Sequence, residues 1–438
     1  MCDTFVVLPE FTQDGSIIFG KNSDRDANEP HYVEIIQERE YPSGSNVECT
    51  YVSIPQVERT NRVLLSRPVW IWGAEMGVNQ WGLVIGNEAI FSKIKANKEP
   101  GLIGMDYLRL ALERAKNAQE AIKTITSLLE TYGQGGNCGF SHPFYYHNSF
   151  LIADHKEAWK LETVDRVWAA KRIEQHGSIS NCLTIGTNWD LASDNLVSYA
   201  VEHKLYNKRN QFNFANVFSD WLYTRFSNAR GRKNCTSQQV QALAGKFQVE
   251  DAFRILRSHH GDADKFSPGK ASLSSDVCMH AGYGPIRVSQ TTGSMVTKTL
   301  SGNEDIWATA TSAPCLSLFK PLRLSQEKIF DYVPDTKFDN CSYWWKHEVF
   351  HRRMLRAYQT YFSEFSMARD AIEKDFLLGL KETKQSQDFE GYWVEIMNRS
   401  NSFLEEWLEK TKNSEGNSNS RLYQKAWKKN NQDANISL

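Results

Sequence analysis

The run MDYLRLALERAKNAQEAIKTITSLLE, residues 105–130, most limits the architecture open to this chain. It repeats apolar residues at helical spacing, ends in the glycine-rich stop TYGQGG, and separates two stretches that read as strands. Upstream, Thr4 to Leu8 and SIIFGK are β-rich runs joined through an Asp14-Gly15 turn signal. They predict a hairpin that returns residues 22–25 towards Cys2. HYVEII, ECTYVSI and GAEMGV follow, the last joined by NQWG to WGLVIGNEAIF in a second hairpin pattern. Downstream, HNSFLIAD, EAWKLETV and RVWAAKRI resume the strands, residues 190–260 read as mainly helical, and VCMHAG, GSMVTK and IWATATS return to strand texture. From Asp339 the pattern is helical, with SYWWKHEVFHRRMLRAYQTYFSEF as one long amphipathic helix and FEGYWVEIMNRSNSFLEEWLEK as another. The polar residues from NSEGNSNS onwards are expected to fray. This order predicts layered sheets flanked by helices, not alternating βαβ units.

Composition removes several function classes. Hydrophobic residues make up 41% and charged residues 24%, values of an ordinary soluble globular protein. A formal net charge of −1 provides no long-range field, so neither nucleic acid nor a membrane surface is an expected partner. No apolar run approaches the ~20 residues of a membrane helix. No basic head with an apolar segment behind it opens the chain, so no secretory signal is expected. The eight cysteines lack paired CxxC spacing, and reduced thiols in a cytoplasmic protein are the expectation.

Three motifs are weighed and set aside. His347-Glu348-x-x-His351 matches the zincin pattern on a helix. The extended glycine and third histidine are missing, however, and both histidines fall on an apolar stripe with Trp344, Met354, Tyr358 and Phe362. A packed structural role is favoured, and no metal is expected. GSIIFGKN nearly spells a phosphate loop, but Asn22 stands where a hydroxyl should hold magnesium and the interior wants a strand core. GQGGNC follows a helix, where a dinucleotide fingerprint must follow a strand, and reads as a helix C-terminal turn.

The opening MCDTF carries a different chemistry. Removal of Met1 would leave Cys2 with a free α-amine beside its own thiol, a nucleophile and a base on one residue. Ordinary values of about 8.5 for the thiol and 7.7–8.0 for the amine suit that proton transfer near neutrality. Oxyanion donors and a holder for the amine are also required. GKNSDR offers Asn22, Asp24 and Arg25, and GLVIGNE offers Asn87. Taken alone, these are explained equally well as turn residues at strand ends.

A wider set of stretches resembles one family. MCDTF…IIFGKNSDR, LSRPVWIWGAEMGVNQWGLVIGNEA, GMDYLRLALERA, LLETYGQGGNC, YHNSFLIAD, AWKLET, ISNCLTIGT and SLFKPL run in order from Met1 to about Leu322 and resemble the secernins. That group sits with the PepD-like cysteine dipeptidases among the N-terminal nucleophile hydrolases. The resemblance implies an α+β fold, a four-layer αββα sandwich over residues 2–325, with a C-terminal helical extension and polar tail at 326–438. It implies a dipeptidase or short-peptide hydrolase with Cys2 as nucleophile and no cofactor, acting on a dipeptide or other small amide. It places an orienting carboxylate at Asp24, an oxyanion asparagine at Asn87 and a second asparagine at Asn181. Lys21 and Arg25 fall at substrate-binding positions. Lys21 stands where many relatives carry arginine, and keeps the charge without the planar fork. WWKHEVFHR also resembles a stretch of that group with no zinc requirement. The same resemblance leaves a second reading, a non-catalytic regulator of exocytosis working through protein partners, and a homo-oligomer stays open.

Overall fold

A computed structural model describes residues 2–226, 228–261, 266–269, 276–283, 287–300, 303–386, 388–414 and 420–438. Two large antiparallel sheets dominate them. The first has six strands in the order His176–Ser180, Cys2–Val7, Ile17–Asp26, Ser289–Leu300, Asn303–Ala308 and Lys320–Leu322. The second has eight, in the order Leu191–Ala192, Val167–Ile173, Ala158–Val164, His147–Ala153, Val84–Ile90, Met76–Asn79, Val63–Pro68 and His31–Ile36. The opening hairpin forms as the sequence predicts, with Cys2 paired to Ser23 and Val7 to Ile18. Gly15 takes the turn at φ +76°, a backbone region that side chains disfavour.

Period-2 alternation decides which face meets what. Val6, Phe19 and Met295 of the six-stranded sheet pack against Leu64, Val78 and Leu151 of the eight-stranded sheet. On the far side of the first sheet, Phe5, Val7, Ile18 and Trp307 meet Val240, Phe253 and Leu256 from the helices Ala229–Gln241 and Val249–Leu256. Behind the second, Leu65, Ile85, Phe150 and Leu161 meet Leu108, Leu112, Ile122 and Ile125 of the helices Gly104–Arg114 and Ala118–Tyr132. The four layers are therefore helix, sheet, sheet, helix, the αββα arrangement expected. Each fully buried aliphatic or aromatic side chain contributes about 1.5–3 kcal/mol, so a one-residue slip in either sheet would cost many such terms.

The helical expectation for residues 190–260 holds, with five helices between Leu196 and Leu256 among the described residues. Four expectations change. The long helix from Tyr343 is two, Tyr343–Met354 and Tyr358–Ser386. Turns of the tighter i→i+3 kind at Arg356 and Ala357 redirect the chain, sending Leu355 towards Trp427 while Met354 and Tyr358 enter the inter-sheet core. The polar tail holds a helix, Arg421–Asp433, because Tyr423 and Trp427 lie one turn apart and bury against Ala27, Ala281 and Leu355. Residues 415–419 of that tail lie outside the described residues. ECTYVSI is a tight hairpin of Asn46–Glu48 with Ser53–Pro55, not one strand. VCMHAG forms no strand, since its backbone makes single bonds to the separate segments at Ser258 and Thr291 in place of a ladder.

The set-aside motifs also find places. Residues 17–22 of the phosphate-loop mimic are in mid-strand, and Gly133 ends a helix at φ +69°. His347 bonds Leu316 O at 2.9 Å through Nε2, while His351 turns Nδ1 to Glu348 at 3.1 Å. Glu348 is further held by Arg352 at 2.9 Å, Gln290 at 3.1 Å and Ser312, so this helical turn is a buried polar brace. Phe350, Phe365, Trp393 and Trp407 carry the C-terminal helices into the same apolar cluster as the inter-sheet face.

Candidate active site

Cys2 shares the inner face of its strand with Thr4 and Val6, but sits at the end where the two sheets part. A cavity of about 450 Å³ opens there, lined by Cys2, Asp24, Arg25, Glu75, Asn87 and Asn181. Phe91, Phe140, Phe144 and Tyr146 form an aromatic wall on one side, with Phe144 in ring contact with both Phe91 and Tyr146.

The backbone around Cys2 is tightly held. Its N–H donates to Asn181 Oδ1 at 2.9 Å, and its carbonyl accepts from Ser180 Oγ at 3.2 Å and Arg232 Nη1 at 3.1 Å. Arg232 Nη2 also donates to Asn181 Oδ1 at 2.7 Å, and Arg232 forms a close ion pair with Asp3. The Asn181 amide is fixed at its other end by Ala89 O at 2.9 Å. Asn181 therefore presents an acceptor to the Cys2 nitrogen, where the sequence left a structural and an oxyanion role open.

The thiol lies 3.3 Å from the Asp24 N–H and 4.0 Å from Glu75 Oε2. Burial pushes it up to about 12, against the pull of Lys21 and the amino terminus and with the push of Glu75 and Glu88. A thiol in that state is neutral and needs a base to become a nucleophile. The Asp24 carboxyl faces the opposite side of the strand, accepting from Thr291 Oγ1 at 2.6 Å and lying 4.0 Å from Arg232. Burial pushes it up to about 7, with the amino terminus, Arg232 and Thr291 pulling down and Asp3 pushing up.

Asn87 lines the cavity from the facing sheet. Its Nδ2 points to Met105 Sδ and Asn148 Oδ1, both at 3.3 Å, and its buried Oδ1 has no partner among the described residues. A half-turn of the amide exchanges these two atoms. Lys21 corrects its expected role: it is fully buried beneath the site and does not line the cavity. Its Nζ donates to Asn87 O at 2.7 Å and stands 3.9 Å from Glu88 and 4.0 Å from Glu75, a charge under the floor and not a substrate contact. Gly86 makes this approach feasible, since a Cβ there would come within 2.6 Å of Lys21 Cδ. Arg25 does line the cavity, but its fork grips Glu29 at 3.1 and 2.7 Å. Its remaining donors reach Cys138 O at 2.8 Å, Tyr146 at 3.3 Å and Glu75 at 3.2 Å. It braces the wall, leaving little donor capacity for a ligand.

Sequence reasoning missed Arg232, Glu75, Glu88 and Thr291. Arg232 is one of three basic residues in ARGRK, and nothing local separates the buried one from its exposed neighbours. Glu88 shares the face of Val84 and Gly86 on its strand and accepts from Thr4 at 2.5 Å, so period 2 could have flagged it as inward-facing. Burial pushes Glu88 up to about 8 despite the pull of Lys21.

Two antiparallel sheets between helical layers, with a cysteine opening a strand at the foot of a cavity, are the layout of an N-terminal nucleophile hydrolase. The profile of peptidase family C69 matches residues 1–364, and the chain belongs to that family. A protein named "Dipeptidase" from Bifidobacterium longum is 26% identical over 212 residues, which cover 41% of this chain and 36% of that protein. The match thus spans about a third of the length of that curated relative. Among solved structures, a conjugated bile acid hydrolase from Clostridium perfringens aligns over 78% of this chain and 100% of its own, at 12% identity and a TM-score of 0.46. Penicillin V acylase from Agrobacterium tumefaciens aligns over 75% and 91%, at 13% identity and a TM-score of 0.40. Both scores are below 0.5, and the fold assignment rests on the sheets and helices themselves.

Proposed function

We propose that this chain hydrolyses small amides, short peptides and dipeptides first among them, through Cys2 after loss of Met1. One observation carries the reading: the Cys2 nitrogen is held by Asn181 at the floor of the cavity while its thiol faces that cavity. Once freed, the α-amine takes the Sγ proton, and the thiolate attacks the amide carbonyl. Asn87, the side-chain amide at the cavity wall, is the group offered to the oxyanion, and collapse expels the amine, which leaves with the proton from the α-ammonium. Water, deprotonated by the same α-amine, then cleaves the thioester and releases the acid. Asn181 and Arg232 position the amine, Asp24 orients the Cys2 strand through its backbone N–H, and Lys21 offsets the charge of Glu75 and Glu88 beneath the floor. A cavity of about 450 Å³ suits a small molecule and is too small for folded protein. Its aromatic wall favours an apolar side chain or acyl group next to the scissile bond. All eight cysteines are free, which supports a reducing, cytoplasmic setting.

The test is the mass of the N-terminal peptide from active protein, combined with brief thiol alkylation and a dipeptide screen of wild type and Cys2→Ala. The expected result is Met1 absent, Cys2 alkylated together with loss of turnover, and Cys2→Ala inactive. Turnover by protein that retains Met1, or by Cys2→Ala, overturns the proposal.

A further inference from the structure

Behind the strand Ser289–Leu300, away from the cavity, two thiols and two imidazoles converge. They come from three parts of the chain: His259 beyond the helix Val249–Leu256, Cys278 and His280 in the irregular segment 276–283, and Cys315 in the turn Pro314–Leu316. One ligand atom from each lies within 4.8 Å of all the others. His280 Nε2 is 3.2 Å from His259 Nε2, 3.3 Å from Cys315 Sγ and 3.7 Å from Cys278 Sγ. A single ring nitrogen has one proton or one lone pair, so it cannot satisfy three such neighbours by hydrogen bonding.

We propose that His259, Cys278, His280 and Cys315 bind one zinc ion in a structural site. Zinc bound tetrahedrally at about 2.0–2.1 Å to nitrogen and about 2.3 Å to sulfur requires edges of about 3.3 Å between nitrogens and about 3.6 Å between nitrogen and sulfur. The three distances around His280 follow that pattern. Two nitrogens and two sulfurs in a tetrahedral arrangement are a donor set that selects zinc. Two thiolates and a divalent ion sum to zero charge, which suits a place where Cys278, His280 and Cys315 are all buried. His259 is half-buried and marks the side from which an ion enters. Such a site gives the irregular segment a side-chain anchor in addition to its backbone hydrogen bonds. Cys278 N–H bonds Ser258 O at 3.1 Å, and Met279 exchanges backbone and hydroxyl bonds with Thr291 at 2.9 Å. Thr291 in turn donates to Asp24, so the ion fixes the layer on which the Cys2 strand rests. The His347–His351 motif supplies no ligand but packs beside the site, His351 in ring contact with His280 and His347 on Leu316 O next to Cys315, and zinc here takes no part in the amide chemistry.

The experiment uses the full chain, without a polyhistidine tag and without added zinc, desalted and analysed for metal and free thiols together. One zinc per chain is expected. Exchange with cobalt(II) should give the intense visible bands of a tetrahedral thiolate site and a sulfur-to-cobalt charge-transfer band. Cys278→Ser and Cys315→Ser should each weaken that band. His259→Gln, at the most exposed ligand and so least able to harm folding, should weaken zinc affinity by at least about tenfold. His347→Gln should leave metal content unchanged. Protein with free thiols that retains no metal after incubation with zinc overturns the proposal. So does a Cys278–Cys315 disulfide in native protein, or zinc affinity that His259→Gln does not change.

Discussion

Cys2 and Cys315 are both fully buried thiols, and their surroundings oppose one another. Cys2 opens onto a cavity, and burial keeps its proton on, up to about 12, against the pull of Lys21 and the amino terminus. Around Cys315, burial also pushes upward, but the hydrogen bond from Cys278 and the neighbouring His280 and His259 bring the thiol well below its ordinary value. One site withholds a thiolate until a base is made beside it. The other draws its thiol towards the thiolate through the groups packed against it. Burial alone therefore says little about what a cysteine does; the hydrogen bonds and charges packed against it also count.

Removing each thiol should break the comparison most visibly. Cys2→Ala should lower turnover by ~10⁴-fold or more while leaving zinc content and melting temperature near wild type. The double change Cys278→Ser with Cys315→Ser should do the reverse in kind, losing the metal and several degrees of melting temperature, measured by metal analysis and calorimetry. Arg232→Met comes next: it strands Asp3 as a buried charge and releases Asn181, and should cost about 3–5 kcal/mol in denaturant unfolding. Asn181→Ala removes the acceptor shared by the Cys2 nitrogen and Arg232, and should reduce kcat/KM by about 10–100-fold and cost about 1–3 kcal/mol of stability.

The smallest effect is a pH slope. The Asp24 carboxyl, raised to about 7, keeps its proton in the folded chain where the unfolded chain has lost it. Its contribution to stability is thus present at low pH and lost as the pH rises through about 7. Asp24→Asn removes that loss. The variant should gain on wild type between about pH 5 and about pH 8 in parallel melting curves, and a constant difference across that range would contradict the assignment.

Much of the fold was legible because it rests on local periodicity. The opening hairpin, the paired helices from Gly104 to Tyr132 and the strands around His147–Ile173 each carry an apolar pattern that admits one structure. The misreadings share one cause. VCMHAG has the composition of a strand, yet Cys278 and His280 point into a cluster with residues 19 and more positions away. The tail around Arg421 is polar in composition, but two aromatics a turn apart are enough to dock it. Cys2, Asp24 and Asn87 were legible as candidates from the residues themselves and Asn181 only through the family resemblance, and all four line one cavity.

The two metal-like patterns divide what each level of structure decides. His347-Glu348-x-x-His351 satisfies a spacing rule, and tertiary packing gives each of its side chains a different partner. His259, Cys278, His280 and Cys315 satisfy no spacing rule, and tertiary packing brings them together. By itself the sequence determined the layers, the hairpin that carries Cys2 and the carboxylate on its return strand, because a period of two or 3.6 is a property of consecutive residues. Only the tertiary structure decided that Arg232 holds Asn181, that Lys21 lies beneath the cavity, and that two distant cysteines face two histidines. Those facts depend on distances between segments that no local pattern encodes.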